Sequence, residues 1–305
     1  MREARLDRTP YLDGAAFVEG RFVPVAEARV PILDWGFLRS DATYDVAHVW
    51  RGGFFRLEDH LDRFARGMER LRMSVPYGRQ EIREILVECV RLSGLRDAYV
   101  EVVCTRGVPP PGSRDPRECQ NSLFAFAVPF VWIADPEKQE RGLDAVIGRV
   151  RRIQPEAVDP TVKNYHWLDL VAGLYEAYDR GGETVILTDS EDNVVEGPGF
   201  NVFAVKNGKI STPSRGILEG ITRRTVVELA SGHGIPLEVR EAPAGEVREA
   251  DEVFVTSTAG GIMPVTKVDG APVGDGTPGS VTLRLRDAYW ELHRDPRFVT
   301  PVRYD

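Results

Sequence analysis

The sequence predicts a two-domain protein of mixed α+β (α/β) class, and three observations carry that prediction. A chain of 305 residues exceeds what one small core holds. Strand-like and helix-like segments intermix without the regular βαβ alternation of a doubly wound sheet. A charged, turn-prone stretch at 135–142 reads as a linker between an N-terminal domain, 1–134, and a C-terminal domain, 143–305.

The elements follow in chain order. Residues 15–23 read as two strand pieces around a turn at Glu19-Gly20, and 46–50 and 53–57 as strands joined by a hairpin at Arg51-Gly52-Gly53. Leu61, Phe64, Met68 and Leu71 recur at helical spacing and predict a helix over 57–72. A second helix, 80–92, stops at Gly94. Residues 99–105 and 123–131 are apolar and β-branched or aromatic enough for buried strands. Between them, 106–120 carries Pro109-Pro110-Pro111-Gly112 and reads as a stiff loop.

In the second half, strands are expected at 144–151, 184–188, 200–205, 209–212 and 253–256. Helices are expected at 168–180, ending at Gly181-Gly182, at 221–232 and at 281–293.

Bulk properties narrow the function. A formal net charge of −8 argues against a nucleic-acid partner, which needs a basic surface. No run approaches the roughly 20 apolar residues of a membrane span. The charged stretch from Met1 to Asp13 lacks the apolar run of a signal peptide. Cys89, Cys104 and Cys119 cannot all pair and show no metal-ligand spacing, so the expectation is a cytoplasmic protein without a metal.

Two groups point to chemistry. Lys163 lies in Thr161-Val162-Lys163-Asn164-Tyr165-His166-Trp167, and Glu196 in Glu196-Gly197-Pro198-Gly199-Phe200-Asn201. A lysine able to form a Schiff base and a carboxylate able to pair with a pyridinium nitrogen are what pyridoxal 5'-phosphate (PLP) requires of a protein. Asn201 is suited to hold a neighbouring ring substituent. Gly220-Ile221-Thr222 opens a helix with backbone N–H groups and a hydroxyl, a favourable phosphate site. Ser257-Thr258-Ala259-Gly260-Gly261 is a second small-residue turn of that kind, and Arg63 offers a cation. Taken singly, each has a plain structural reading as a surface lysine, a tight turn or a helix cap.

Their order is more specific, and over nearly its whole length the chain resembles the class IV (fold type IV) PLP-dependent aminotransferases. His60-x-x-Arg63, Lys163, Glu196-x-x-x-x-Asn201, Gly220-Ile221-Thr222-Arg223 and Asp251-Glu252-Val253-Phe254 leading to Ser257-Thr258-Ala259 carry the likeness. Within that family it is most similar to the (R)-selective amine transaminases. The segments are Ser40-Asp41-x-Thr43-Tyr44-Asp45-Val46, Val100-Glu101-Val102, Lys163-Asn164-x-x-Trp167-x-Asp169-Leu170 and Thr258-Ala259-Gly260-Gly261-Ile262-Met263-Pro264.

The resemblance implies a small N-terminal α/β domain, a larger C-terminal pseudo-barrel domain and a homodimer. Lys163 would be the Schiff-base lysine and proton shuttle. Glu196 would hold the pyridinium nitrogen, and Arg63, Ile221, Thr222 and Thr258 the phosphate. Tyr44, Tyr99, Glu101 and Trp167 would line the substrate pocket. The implied reaction moves an amino group from an (R)-amine or D-amino acid to a keto acid. Branched-chain or D-amino-acid specificity, a lyase of the aminodeoxychorismate type and a non-catalytic phosphate-ligand binder are the alternatives.

The chain departs from the pattern in three places. Arg39 stands where those amine transaminases carry a histidine before Ser40-Asp41. The arginine that usually recognises a carboxylate is displaced from the loop after Thr105-Arg106-Gly107, and Pro198 replaces a small residue. Because an acceptor carboxylate still needs a cation, Arg39 or Arg114 is the expected replacement.

Overall fold

The computed structural model describes residues 8–305; the charged residues 1–7 lie outside them. The chain forms two compact units. One comprises the residues up to Val131 together with Val162–Tyr165 and Asp295–Asp305, and the other Trp132–Thr161 and His166–Arg294.

The first unit contains β1 (Ala15–Val18), β2 (Arg21–Pro24), α1 (Trp35–Arg39), β3 (Ala42–Trp50), β4 (Gly53–Phe55), α2 (Leu57–Arg70), α3 (Arg79–Ser93), β5 (Ala98–Val108) and β6 (Gln120–Pro129). A late strand, Val299–Pro301, completes an antiparallel sheet in the order Val299–Pro301, β4, β3, β5, β6, β1, β2. Alternation along β3 gives the sheet two faces. Ala47 and Val49 join Leu57, Leu61 and Phe64 of α2 and Ile82, Leu86 and Cys89 of α3 in the main core. On the opposite face Tyr44, Val46, Val103 and Phe124 cluster with Tyr99 and Tyr165. Register places Tyr44 opposite Val103, Val46 opposite Glu101 and His48 opposite Tyr99. Helix α3 ends as its sequence predicts, with Gly94 in the left-handed region donating its N–H to the Val90 carbonyl.

The second unit contains α4 (Pro136–Arg141), β7 (Leu143–Arg151), α5 (Leu168–Asp179), β8 (Thr184–Thr188), β9 (Glu196–Gly197), β10 (Phe200–Lys206), β11 (Lys209–Thr212), α6 (Ile221–Gly232), β12 (Leu237–Val239), α7 (Ala244–Arg248), β13 (Glu252–Ser257), β14 (Gly261–Val268), β15 (Ala271–Pro272) and α8 (Ser280–Glu291). Its sheet runs β12, β11, β10, β13, β14, β7, β8, with β9 paired to β10 and β15 to β14. Pairing is parallel at β11–β12, β14–β7 and β7–β8 and antiparallel elsewhere.

Several elements differ from expectation. Residues 136–141, read as linker, form α4, because Asp135 caps the Lys138 N–H and Pro136 sits in the first turn where its missing N–H costs nothing. Strand β14 is hidden in the sequence by Pro264. It is tolerated because the pairing of β14 with β7 begins only at Val265, and Pro264 needs no donor on that side. The proline-rich loop is shorter than expected, since β5 reaches Val108 and β6 starts at Gln120. Two segments cross the expected division of the chain: Val299–Pro301 pairs with β4, and Lys163 docks on β3. Among the described residues no helix is long and apolar enough to cross a membrane.

Tyr289 on α8 is fully buried, and His293 packs against it, with Nδ1 3.1 Å from the Tyr289 carbonyl oxygen. Burial pushes the His293 imidazole down to about 4. The unfolded chain therefore takes up a proton that the native state refuses. Stability from this group is intact above about pH 6.5 and falls progressively towards pH 4, by on the order of 3 kcal/mol. Denaturant titrations at pH 7.5, 5.5 and 4.5 are expected to show a shallower pH slope for His293→Gln than for the parent; equal slopes would remove His293 from this role.

Candidate active site

In the first unit, Lys163 is fixed through its backbone. Its carbonyl accepts from the Tyr44 N–H (3.1 Å) and from Thr43 Oγ1 (2.9 Å), and Asn164 bridges Thr43. This isolated bridge lies on the part of β3 that β4 leaves unpaired, since β4 reaches only Val49 and Trp50. Lys163 Nζ lies 4.5 Å from the centroid of the Tyr44 ring. Tyr44 in turn stacks on Tyr165 at 4.3 Å and 2°.

Beyond this stack sits Glu101. It accepts from Tyr165 Oη at 2.5 Å and from Tyr99 Oη at 3.0 Å, one phenol on each carboxylate oxygen. Burial raises the Glu101 carboxyl above the ordinary range, while the phenols and Lys163 pull it back. Burial, reinforced by Glu101, pushes both phenols far upward, so they remain donors.

Arg63 sits on the helix-covered face of β3. Its Nε–H and Nη2–H form a bidentate pair with Asp45 at 2.7 and 2.9 Å, and His60 Nδ1 lies 2.7 Å from the same carboxylate. Burial opposes the Asp45 charge, but Arg63 and His60 outweigh it and hold the carboxyl far below the usual range. Burial drives His60 downward against the pull of Asp45.

Arg39 and Arg114 are both exposed. The Arg39 guanidinium lies 3.5 Å from the Trp35 ring centroid, and Arg114 lies in the loop between β5 and β6. Among the described residues neither pairs with Tyr44, Tyr99 or Glu101. Arg106 forks onto Asp41 and donates to the Leu71 carbonyl, a structural assignment.

In the second unit, Glu196 on β9 is buried and held from both sides. Arg152 Nε donates to Oε1 at 3.2 Å, and the Leu218 N–H to Oε2 at 2.9 Å. Arg152 also reaches Asp169 Oδ2 at 2.7 Å, and Asp169 accepts the Ile153 N–H. Burial opposes the Arg152 charge, and its two carboxylates more than compensate. Asn201, opposite Glu196 in register, donates to the Leu218 carbonyl at 2.9 Å. Thus Glu196 and Asn201 grip Leu218 through its N–H and carbonyl, and thereby position the turn that opens α6.

Gly197 is required sterically. A Cβ there would lie 2.2 Å from the Phe200 ring and 2.4 Å from the Val185 carbonyl oxygen. Trp167 is the residue before α5, with its ring beside Gly199. Ile221, Thr222 and Ser257 are buried and Thr258 is partly exposed. Ser257 Oγ accepts the Ala259 N–H. Among the described residues no side chain caps the N-terminus of α6.

The family model for class IV aminotransferases ("Amino-transferase class IV") matches residues 42–268, which include Tyr44, Arg63, Glu101, Lys163, Glu196 and Asn201 but not Arg39. The chain belongs to the class IV aminotransferases. It is 33% identical over 279 residues to a putative branched-chain-amino-acid aminotransferase of Methanocaldococcus jannaschii, covering 90% of this chain and 95% of the relative. A D-alanine aminotransferase of Staphylococcus haemolyticus is 28% identical over 287 residues, with coverage of 90% and 95%. Among solved structures, the branched-chain amino acid aminotransferase of Thermobaculum terrenum in its PLP form superposes with a TM-score of 0.86 at 28% identity, covering 95% and 99% of the chains. That of Thermoproteus uzoniensis with norvaline gives 0.87 at 31% identity, covering 95% and 99%.

A class IV aminotransferase is a PLP enzyme, and the second unit suits that cofactor. Glu196 is held by two donors as an acceptor, the state that complements a protonated ring nitrogen. Helix α6 presents an N-terminus without a side-chain cap, suited to a phosphate. Thr256, whose Cα faces Asn201 across the β10–β13 pair, keeps a buried hydroxyl with no partner among the described residues.

Five residues of this arrangement were not singled out as site residues from the sequence: Tyr165, Asp45, His60, Arg152 and Asp169. All but Arg152 lay within quoted motifs. Arg152 follows the basic end of β7, Arg149-Val150-Arg151, and carries no local signal.

Gly220 tests the turn. A Cβ there would sit 2.2 Å from Asn201 Oδ1 and push the amide off Leu218. Gly220→Ala is expected to lower stability by about 1–3 kcal/mol and to weaken PLP binding in an absorbance titration. Gly245→Ala, where a Cβ meets nothing within 4 Å, is the neutral control.

Proposed function

We propose that this class IV aminotransferase passes an amino group from an (R)-amine or D-amino acid to a keto acid, in two half-reactions that share one site. The supporting observation is the contact set around Lys163. Three segments that resemble (R)-selective amine transaminases, 40–46, 100–102 and 163–170, contribute Thr43, Tyr44, Glu101 and Lys163 to one interlocked group. Bound PLP supplies an electron sink for the carbon that exchanges its amino group. In this reading Lys163 Nζ takes and returns the proton. Its fixed carbonyl confines the side chain's swing, and Nζ lies 4.5 Å from the centroid of the Tyr44 ring. Glu196 keeps the pyridinium protonated with Arg152 behind it. The N-terminal turn of α6, Ser257 and Thr258 hold the phosphate, with Arg63 as its cation. Tyr99 and Trp167 line the substrate pocket, and Arg39 or Arg114 meets the acceptor carboxylate.

A second reading, a branched-chain or D-alanine aminotransferase, draws on the names of the relatives. Half-reaction spectra of the PLP form with (R)-1-phenylethylamine, D-alanine and L-leucine separate the two. The first two donors are expected to bleach the cofactor band at least about tenfold faster than L-leucine, a difference near 1.4 kcal/mol; the reverse order would replace the proposal. Borohydride reduction is expected to attach the cofactor to Lys163 and to leave Lys163→Ala unlabelled.

The proposal includes a cytoplasmic homodimer. Cys89 and Cys104 are buried free thiols, as a reducing compartment allows. Leu168, Val171, Tyr175 and Tyr178 form an exposed stripe on α5, with Leu168 87% and Tyr175 67% exposed, and a second copy is the occupant we assign to it. Light scattering is expected to give twice the 34.0 kDa chain mass. Tyr175→Glu is expected to shift it towards the monomer, and a monomeric parent would end this part of the proposal.

A further inference from the structure

Arg152 stands between two carboxylates. Its Nε donates to Glu196 at 3.2 Å and its Nη1 to Asp169 at 2.7 Å, and the same Nη1 reaches the His166 carbonyl at 3.3 Å. Fixing Glu196 requires only Arg152 and the Leu218 N–H, yet Asp169 brings a second carboxylate to the site at a desolvation cost. Its effect on the charge is larger than its effect on the geometry. An Arg152–Glu196 pair alone is neutral, and a paired guanidinium weakens the pull of a carboxylate on any further cation. With Asp169 included, two carboxylates meet one guanidinium, and the three groups sum to one net negative charge. The Arg152 and Glu196 side chains are each 9% exposed and that of Asp169 15%, so solvent screens this charge weakly. Asp169 is also anchored at the start of α5, where Oδ2 accepts the Ile153 N–H at 2.7 Å and Oδ1 the Leu170 N–H at 2.8 Å.

We propose that Asp169, acting through Arg152, is a positioning residue that makes the Glu196 site select a protonated ring nitrogen. The inference rests on the reading of Glu196 as the ring-nitrogen partner and deepens it. Without the Asp169 charge, the Arg152–Glu196 pair is neutral, and a nitrogen beside it gains little by carrying a proton. With it, the cluster holds one net negative charge that an N–H cation at Glu196 neutralises. The selectivity therefore originates in a residue of α5 that reaches Glu196 through the guanidinium. For a unit charge one guanidinium away, roughly 8–10 Å, and an effective dielectric of about 20, the effect corresponds to about 15- to 30-fold in binding. The partial exposure of Asp169 lowers it.

Two measurements on the full-length chain test this. Absorbance titrations of the cofactor-free protein compare PLP with 1-deazapyridoxal 5'-phosphate, in which a C–H replaces the ring nitrogen. A variant that merely loosens the fold weakens both alike, so the ratio of affinities isolates the ring nitrogen. The parent is expected to favour PLP. Asp169→Asn keeps an oxygen for Arg152 and the Ile153 N–H, and is expected to lower that preference by about 5- to 30-fold. The nitrogen-15 resonance of ring-labelled PLP bound to this variant is expected to move from the protonated towards the unprotonated position. Either readout left at the parent value, with thermal melts confirming a folded variant, overturns the proposal. Glu196→Gln keeps the two readings apart. If it leaves the preference for PLP intact, the assignment of Glu196 to the ring nitrogen fails and this inference with it. If it abolishes the preference while Asp169→Asn does not, the role of Asp169 alone falls.

Discussion

A lysine on a connecting segment has a long side chain and no place of its own. Here the backbone carbonyl of Lys163 accepts two hydrogen bonds from consecutive residues of β3, and the rest of its surroundings depends on that anchorage. Once the main chain is pinned, Tyr165 two residues on is brought onto the Tyr44 ring, and its hydroxyl onto Glu101. The register of β3 on β5 then sets the remaining contacts, because Val46 faces Glu101 and His48 faces Tyr99 on the same side of the sheet. A one-residue slip would turn Tyr44 and Glu101 into the helix-covered core. The eight-residue β3–β5 ladder, continued by β5–β6, makes such a slip costly.

Buried charge is the second organising constraint. The carboxylates of Asp45 and Glu196 are both nearly inaccessible, and each is met by an arginine from another element. Such pairs contribute little net stability, since desolvation cancels much of the attraction, but removing one partner leaves the other exposed to a penalty of about 3–5 kcal/mol. Their value lies in geometry. Asp45 takes four donors, from the Val46 amide, His60 and the Arg63 fork, which leaves the guanidinium little rotational freedom. Arg152 is held by Asp169 before it touches Glu196, so each carboxylate fixes the next group in line.

Much of this was legible in the sequence, for identifiable reasons. Helices α2 and α6 announce themselves through apolar spacing, and the hairpin at Glu19-Gly20 through its turn residues. Lys163 and Glu196 stand out because their neighbours follow a recognisable order. What stayed hidden was long-range. Pro264 disguised a strand whose paired edge only the sheet reveals, and Arg152 lies 44 residues from its partner with nothing local to mark it. Tyr165 looked like one aromatic among several until the stack with Tyr44 gave it a direction. Arg39 and Arg114 attracted attention through departures from a pattern, whereas their surface positions come from the fold.

The strand Val299–Pro301 has a consequence for how the chain is made. It covers β4, through Phe55 opposite Val299 and through the Arg56 N–H bonded to the Phe298 carbonyl. Residue 131 leaves the ribosome long before residue 299, and at about 5–20 residues per second the first sheet waits roughly 10–30 seconds for its last strand. Meanwhile the outer edge of β4 stands open, a site where nascent chains find one another. Its brevity, three residues beginning with a glycine, limits that hazard. The edge left open longest is thus a three-residue one, which can best tolerate being finished last.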